Sequence, residues 1–144
     1  MRYLLDTCAV LWLAGDGANL SQDTVAGLES PQSEVFVSAI TSAELACLVR
    51  KNKIELPTHW RRWFRDAIDC NAWTVLPVDL ENIEEAYALP GEFHPDPADR
   101  VLVAAARLNK LTLVTGDQKI LDYPHVLAVW FMAAPAIRCE AKSM

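Results

Sequence analysis

Residues 96–117 run Asp96-Pro97-Ala98-Asp99-Arg100-Val101-Leu102-Val103-Ala104-Ala105-Ala106-Arg107-Leu108-Asn109-Lys110-Leu111-Thr112-Leu113-Val114-Thr115-Gly116-Asp117. Asp96 suits a helix cap and Pro97 the first helical position, so the spacing predicts a long apolar helix over 98–109. Leu111 to Thr115 then reads as a short buried strand, and it stops at an acid, Asp117. The start of the chain has the same form: Tyr3-Leu4-Leu5 is an apolar run closed by Asp6.

The residues between repeat the alternation. Thr7 to Ala14 reads as a helix stopped by Gly15-Asp16-Gly17, and Ser21 could cap a second that runs to about Glu29. Val35-Phe36-Val37-Ser38 is a β-branched and aromatic strand. Residues 41–53 carry Leu45, Leu48 and Val49 at helical spacing. Further helices are predicted over 59–71, 80–89 and 118–121, and further strands over 73–76 and 126–129. Strands separated by helices imply parallel pairing through right-handed crossovers. The predicted fold is therefore α/β, a single-domain three-layer α/β/α sandwich with a mainly parallel sheet of about five strands. It spans residues 1–130, and 131–144 form a C-terminal tail.

A chain of 144 residues that is 52% hydrophobic and 22% charged can bury its own core as one domain. Its net charge of −6 argues against holding nucleic acid by bulk charge, unless several acids belong to a metal site. Cys8, Cys47, Cys70 and Cys139 form no CxxC pair and no close Cys/His cluster, which disfavours a zinc site. Three of them fall in predicted helices on apolar faces and read as reduced thiols. The start lacks the apolar region of a secretory signal, and no stretch approaches the roughly 18 apolar residues of a membrane span. A cytoplasmic protein is expected.

Asp6 and Asp117 end strands, while Glu44 and Asp99 fall in the first turns of predicted helices. Each has a local explanation. Asp caps helices well, and Thr41-Ser42-Ala43-Glu44 matches a capping box. Asp99 sits at the third helical position, where the helix dipole favours an acid. Ligands of parallel sheets bind beyond the carboxyl ends of the strands. Four acids brought to that one edge repel one another unless a cation sits among them.

Four motifs now become specific in their order: Leu4-Leu5-Asp6-Thr7, Thr41-Ser42-Ala43-Glu44-Leu45, His94-Pro95-Asp96-Pro97-Ala98-Asp99-Arg100 and Leu113-Val114-Thr115-Gly116-Asp117. With them the chain resembles a PIN domain, and within that superfamily the VapC toxins of bacterial toxin–antitoxin pairs, over roughly residues 2 to 130. The resemblance implies a PIN-like nuclease fold and a metal-dependent endoribonuclease with Asp6, Glu44, Asp99 and Asp117 as its acidic quartet. Asp6 and Asp99 are the firmest metal ligands by that resemblance, and Thr7 and Thr115 would orient carboxylates. It implies Mg²⁺, with Mn²⁺ as an alternative; both are hard ions that suit an all-carboxylate set. The implied products carry a 5′-phosphate and a 3′-hydroxyl. The implied partners are RNA, a VapB-like antitoxin and a second copy of the chain, as a homodimer or a hetero-oligomer with antitoxin.

Arg61, Arg62 and Arg65 are interleaved with Trp60, Trp63 and Phe64. The pattern suits RNA, a protein interface in which Trp and Arg abound, or an amphipathic helix with a solvated basic face. The resemblance favours antitoxin contact. Arg100 could meet a phosphate or form a structural ion pair. His94 could approach the mouth of the acidic pocket, but its flanking prolines read as a turn. Two rivals stand beside the toxin reading. One is a PIN-domain RNA-processing nuclease outside any toxin–antitoxin pair. The other is a Mg²⁺-dependent phospho-receiver or aspartyl-phosphate protein, which would need an acid after Val35-Phe36-Val37-Ser38 and finds none.

Overall fold

A computed structural model describes residues 1–15 and 22–130, with side chains of the second span described from residue 25. Five strands form one sheet: β1 (Arg2–Leu5), β2 (Glu34–Ser38), β3 (Thr74–Leu76), β4 (Thr112–Val114) and β5 (Ala128–Val129). Their spatial order is β3-β2-β1-β4-β5, and every pairing is parallel. The expected architecture holds. From β1 the chain builds outward to β2 and β3, then returns to β1's other flank as β4 and β5. The switch point lies between the carboxyl ends of β1 and β4.

Alternation along the strands makes the two outer layers. Leu4 pairs in register with Phe36 and Leu113, and all three enter one core cluster. Leu5 pairs with Val37 and Val114, and these face the opposite cluster. On the first face lie α5 (Leu80–Ala86), α6 (Pro97–Asn109) and α7 (Gln118–Leu121); on the second lie α1 (Thr7–Ala14), α2 (Gln22–Glu29), α3 (Ile40–Arg50) and α4 (Trp60–Asn71). A sheet covered on both faces reads as unbroken apolar runs, which is why β1 and β4 were recognisable. Helix α6 is buried from Val101 through Ala106 and packs on α5 and α3.

Several helices end sooner than the apolar pattern suggests. Helix α3 stops at Arg50, and Asn52 turns the chain with φ of 56°. Helix α5 stops at Ala86, although Leu89 remains buried from irregular backbone. Cys47 and Cys70 are free but exposed, not on apolar faces. Cys8 is buried and disulfide-bonded, which corrects the expectation of reduced thiols throughout. The expected cap Ser21, the helix stop at Asp16-Gly17 and the tail 131–144 lie outside the described residues. Among the described residues no helix is long and apolar enough to cross a membrane.

Candidate active site

Asp6 follows β1 directly and caps α1. Its backbone N–H donates to Val114 O at 3.1 Å, which ties the end of β1 to β4. Its carboxylate accepts from Ala9 N at 2.8 Å through Oδ1 and from the Thr115 hydroxyl through Oδ2. Asp6 and Thr115 are both fully buried. The same Thr115 Oγ1 accepts from Asp117 N at 3.0 Å. One hydroxyl thus fixes Asp6 and the backbone that carries Asp117 across the switch point.

Glu44 departs from the capping-box expectation. Helix α3 begins at Ile40, with Ala39 as a cap that offers no side-chain bond, so Glu44 lies beyond the first turn. Thr41 is buried inside the helix and its hydroxyl lies 3.2 Å from that of Thr7. The Thr7 hydroxyl donates to Glu44 Oε1. Glu44 is therefore directed to Thr7 at the start of α1, the residue after Asp6, instead of back to its own helix. A buried hydroxyl bonded to a carboxylate fixes where that carboxylate points.

Asp99 is 2% exposed and sits at the third helical position, three residues after its capping partner: Asp96 Oδ1 accepts from Asp99 N at 3.1 Å. Asp96 is the cap, as its place before Pro97 predicts. His94 Nε2 lies 3.2 Å from Asp99 Oδ2. One ligand atom each from His94, Asp99 and Asp117 falls within 4.8 Å of the others. Asp117 also caps α7, accepting from Lys119 N at 2.9 Å. Asp117 thus keeps its capping duty and still converges with Asp99 and His94.

Arg100 turns away from Asp99. Its Nε donates to His94 O at 3.1 Å, Nη1 to Ala86 O at 3.0 Å and Nη2 to Phe93 O at 2.8 Å. A guanidinium engaged in three carbonyl bonds is a clamp on the loop before α6, not a phosphate contact, which corrects that expectation. Lysine has no planar fork to span three acceptors. Arg100→Lys is expected to cost roughly 1–3 kcal/mol in denaturant unfolding.

Arg61, Arg62 and Arg65 lie on the exposed side of α4, with Phe64 buried and Trp60 and Trp63 packed against the core. Arg61 stacks 5.5 Å from the centroid of Trp60, and Arg62 pairs with Asp66 at 3.7 Å. His59 caps the same helix, its Nδ1 accepting from Arg61 N at 3.2 Å. His125 lies against Tyr123, 5.4 Å between centroids. Neither histidine is grouped with the acids among the described residues. His94 is the residue that sequence underweighted; its fixed spacing of five residues before Asp99 was the available signal.

The donor set suits a divalent cation. It consists of carboxylate oxygens, two of them on buried residues, and the buried His94 Nε2 has no aligned hydrogen bond among the described residues. Like charges gathered in a low-dielectric interior are costly until a cation offsets them.

Fold and site define a parallel α/β domain with an acidic centre at its switch point. The chain belongs to the PIN domain family, whose pattern matches residues 3–126. It is 30% identical over 129 residues to ribonuclease VapC22 of Mycobacterium tuberculosis, covering 88% of this chain and 97% of that protein. VapBC2 from Rickettsia felis, bound to a DNA fragment from its promoter, is similar in structure with a TM-score of 0.70 at 16% identity; 91% of this chain and 99% of that one are covered. DNA-bound VapBC from Salmonella typhimurium gives 0.63 at 16% identity, over 90% of this chain and 98% of that one. At such identities the two structures establish the fold alone.

Proposed function

We propose that this chain is a metal-dependent endoribonuclease, the toxin of a toxin–antitoxin pair, using Asp6, Glu44, Asp99 and Asp117 as its acidic centre. The observation that carries this is a convergence at the β1/β4 switch point: two threonine hydroxyls fix Asp6, Glu44 and the backbone of Asp117, and Asp117 lies with Asp99 and His94 in one group of ligand atoms. Similarity to a ribonuclease over nearly the whole of both chains supports the reaction class.

Asp6, Asp99 and Asp117 would hold Mg²⁺ or Mn²⁺, with Glu44 completing the pocket. When bound, the cation supplies Lewis-acid activation of water and offsets charge developing on the phosphodiester. Thr115 and Thr7 hold the carboxylates of Asp6 and Glu44 in fixed directions, so little reorganisation is needed as RNA reacts. Asp117 or Glu44 accepts the proton of the attacking water. The products are a 5′-phosphate and a 3′-hydroxyl.

A VapB-like antitoxin is the natural partner, and the aromatic and basic face of α4 is where we place it. A cleft of about 280 Å³ beside that face is lined by Ala46, Val49, Leu56, His59 and Trp60 among others. Apolar walls rimmed by arginines suit a partner peptide. A homodimer or a hetero-oligomer with antitoxin is the proposed assembly.

The purified chain should cleave single-stranded RNA with Mg²⁺ or Mn²⁺ and stop on addition of EDTA. Its expression should be toxic and be rescued by the product of an adjacent short gene. Cleavage without toxicity would make it an RNA-processing nuclease, and absence of metal-dependent cleavage would remove the nuclease reading altogether.

A further inference from the structure

His94 occupies a position that the acidic quartet leaves unexplained. Its loop is clamped by Arg100, and its ring lies against Phe93. Arg100 grips its carbonyl and that of Phe93, and the Phe93 ring lies against the imidazole at 4.4 Å with 40° between planes. Phe93 is braced in turn by Tyr123 at 4.8 Å, and Tyr123 hydroxyl donates to Pro90 O. A loop anchored at this many points presents its imidazole in one orientation.

The bland role for such a histidine is to donate a hydrogen bond that orients Asp99. The geometry does not favour it. Nε2 is 3.2 Å from Asp99 Oδ2, close enough to bond, yet it makes no aligned hydrogen bond there or elsewhere among the described residues. A buried nitrogen 3.2 Å from one carboxylate oxygen and within 4.8 Å of a second, hydrogen-bonded to neither, suits a third object lying between them. An octahedral ion with bonds of about 2.1 Å sets adjacent ligand atoms about 3.0 Å apart and opposite ones about 4.2 Å apart. The 3.2 Å separation suits adjacent ligands, and the 4.8 Å bound on the His94, Asp99 and Asp117 atoms spans both kinds of pair.

We propose that His94 Nε2 is a direct nitrogen ligand of the divalent cation and biases this site toward Mn²⁺ over Mg²⁺. The proposal rests on reading the acids as the metal site. Its chemistry follows from donor type: Mg²⁺ prefers oxygen ligands and keeps its waters, whereas imidazole nitrogen suits first-row transition ions. A site of carboxylates alone would discriminate weakly between the two. One fixed imidazole changes that.

The test is pulsed EPR of the full chain loaded with Mn²⁺, with the histidines at natural abundance and then ¹⁵N-labelled. Wild type should show a directly bonded nitrogen that changes isotope signature with histidine labelling. His94→Ala and His94→Gln should both lose that signal and bind Mn²⁺ about 10- to 100-fold more weakly. Mg²⁺ affinity, read by competition, should fall far less. Gln keeps a polar side chain of similar reach, and circular dichroism of each variant shows whether the fold is retained. Mn²⁺ bound in an Asp99-dependent manner without histidine nitrogen would overturn the proposal and leave the acidic metal site standing. No Mn²⁺ or Mg²⁺ binding at all would overturn both.

Discussion

Asp99→Asn should abolish RNA cleavage, with a rate loss on the order of 10³-fold or more. A bound divalent ion contributes several kcal/mol to the charge balance of phosphodiester hydrolysis, and each 1.36 kcal/mol is a factor of ten. Asparagine has the same shape but lacks the charge that holds the ion. The substitution is clean because Asp99 is not the cap of α6; that duty belongs to Asp96. The helix should therefore form as before. Thermal unfolding without metal should be unchanged or move upward, since a buried negative charge beside other acids has been removed.

Metal then separates the two chains. At an ion concentration a hundred times its dissociation constant, wild type should gain about 2.7 kcal/mol of stability, and the variant should gain almost none. Cleavage and unfolding measured on the same samples check both halves. Wild-type cutting by a folded Asp99→Asn variant would take Asp99 out of the chemistry. Failure of the variant to fold would instead make Asp99 a structural residue.

What was legible in the sequence follows from burial and capping. Runs such as Tyr3-Leu4-Leu5 are covered on both faces, so their apolar character is continuous, and the acids that follow them are caps that any reader would mark. The order of the strands placed Asp6 and Asp117 at one edge. The links between acids were not legible. Thr115 and Asp6 are 109 residues apart, and Thr7 and Glu44 are 37 apart, so nothing local announces the bonds between them. Glu44 illustrates the cost of local reasoning, because a capping box explained it fully until Ile40 proved to be the first helical residue. Apolar periodicity carried α5 past its end because Leu89 continues the pattern without continuing the helix. Arg100 sits next to Asp99 in sequence and invites an ion pair, yet three carbonyls to its own side claim it.

Thr115→Val isolates the link that sequence could not reveal. Valine matches threonine in shape, so the fully buried site keeps its packing and loses only the hydroxyl. Two bonds go at once: the donor to Asp6 Oδ2 and the acceptor for Asp117 N. Losing the acceptor of one partly buried N–H and one hydroxyl donor to the Asp6 carboxylate should cost roughly 1–3 kcal/mol in unfolding. The loss of orientation should weaken metal binding and cleavage by about 10- to 100-fold, the usual effect of removing a group that aims a ligand. Thr115→Ser retains the hydroxyl and gives up a methyl group, worth about 0.8 kcal/mol. It should lose some stability while keeping metal affinity and rate close to wild type. The pair of variants therefore pulls stability and chemistry apart. If the Val variant unfolds more easily but binds Mn²⁺ and cuts RNA as wild type does, Thr115 is only a tie between β4 and α1. Recovery of both metal affinity and rate in the Ser variant assigns the hydroxyl to positioning Asp6.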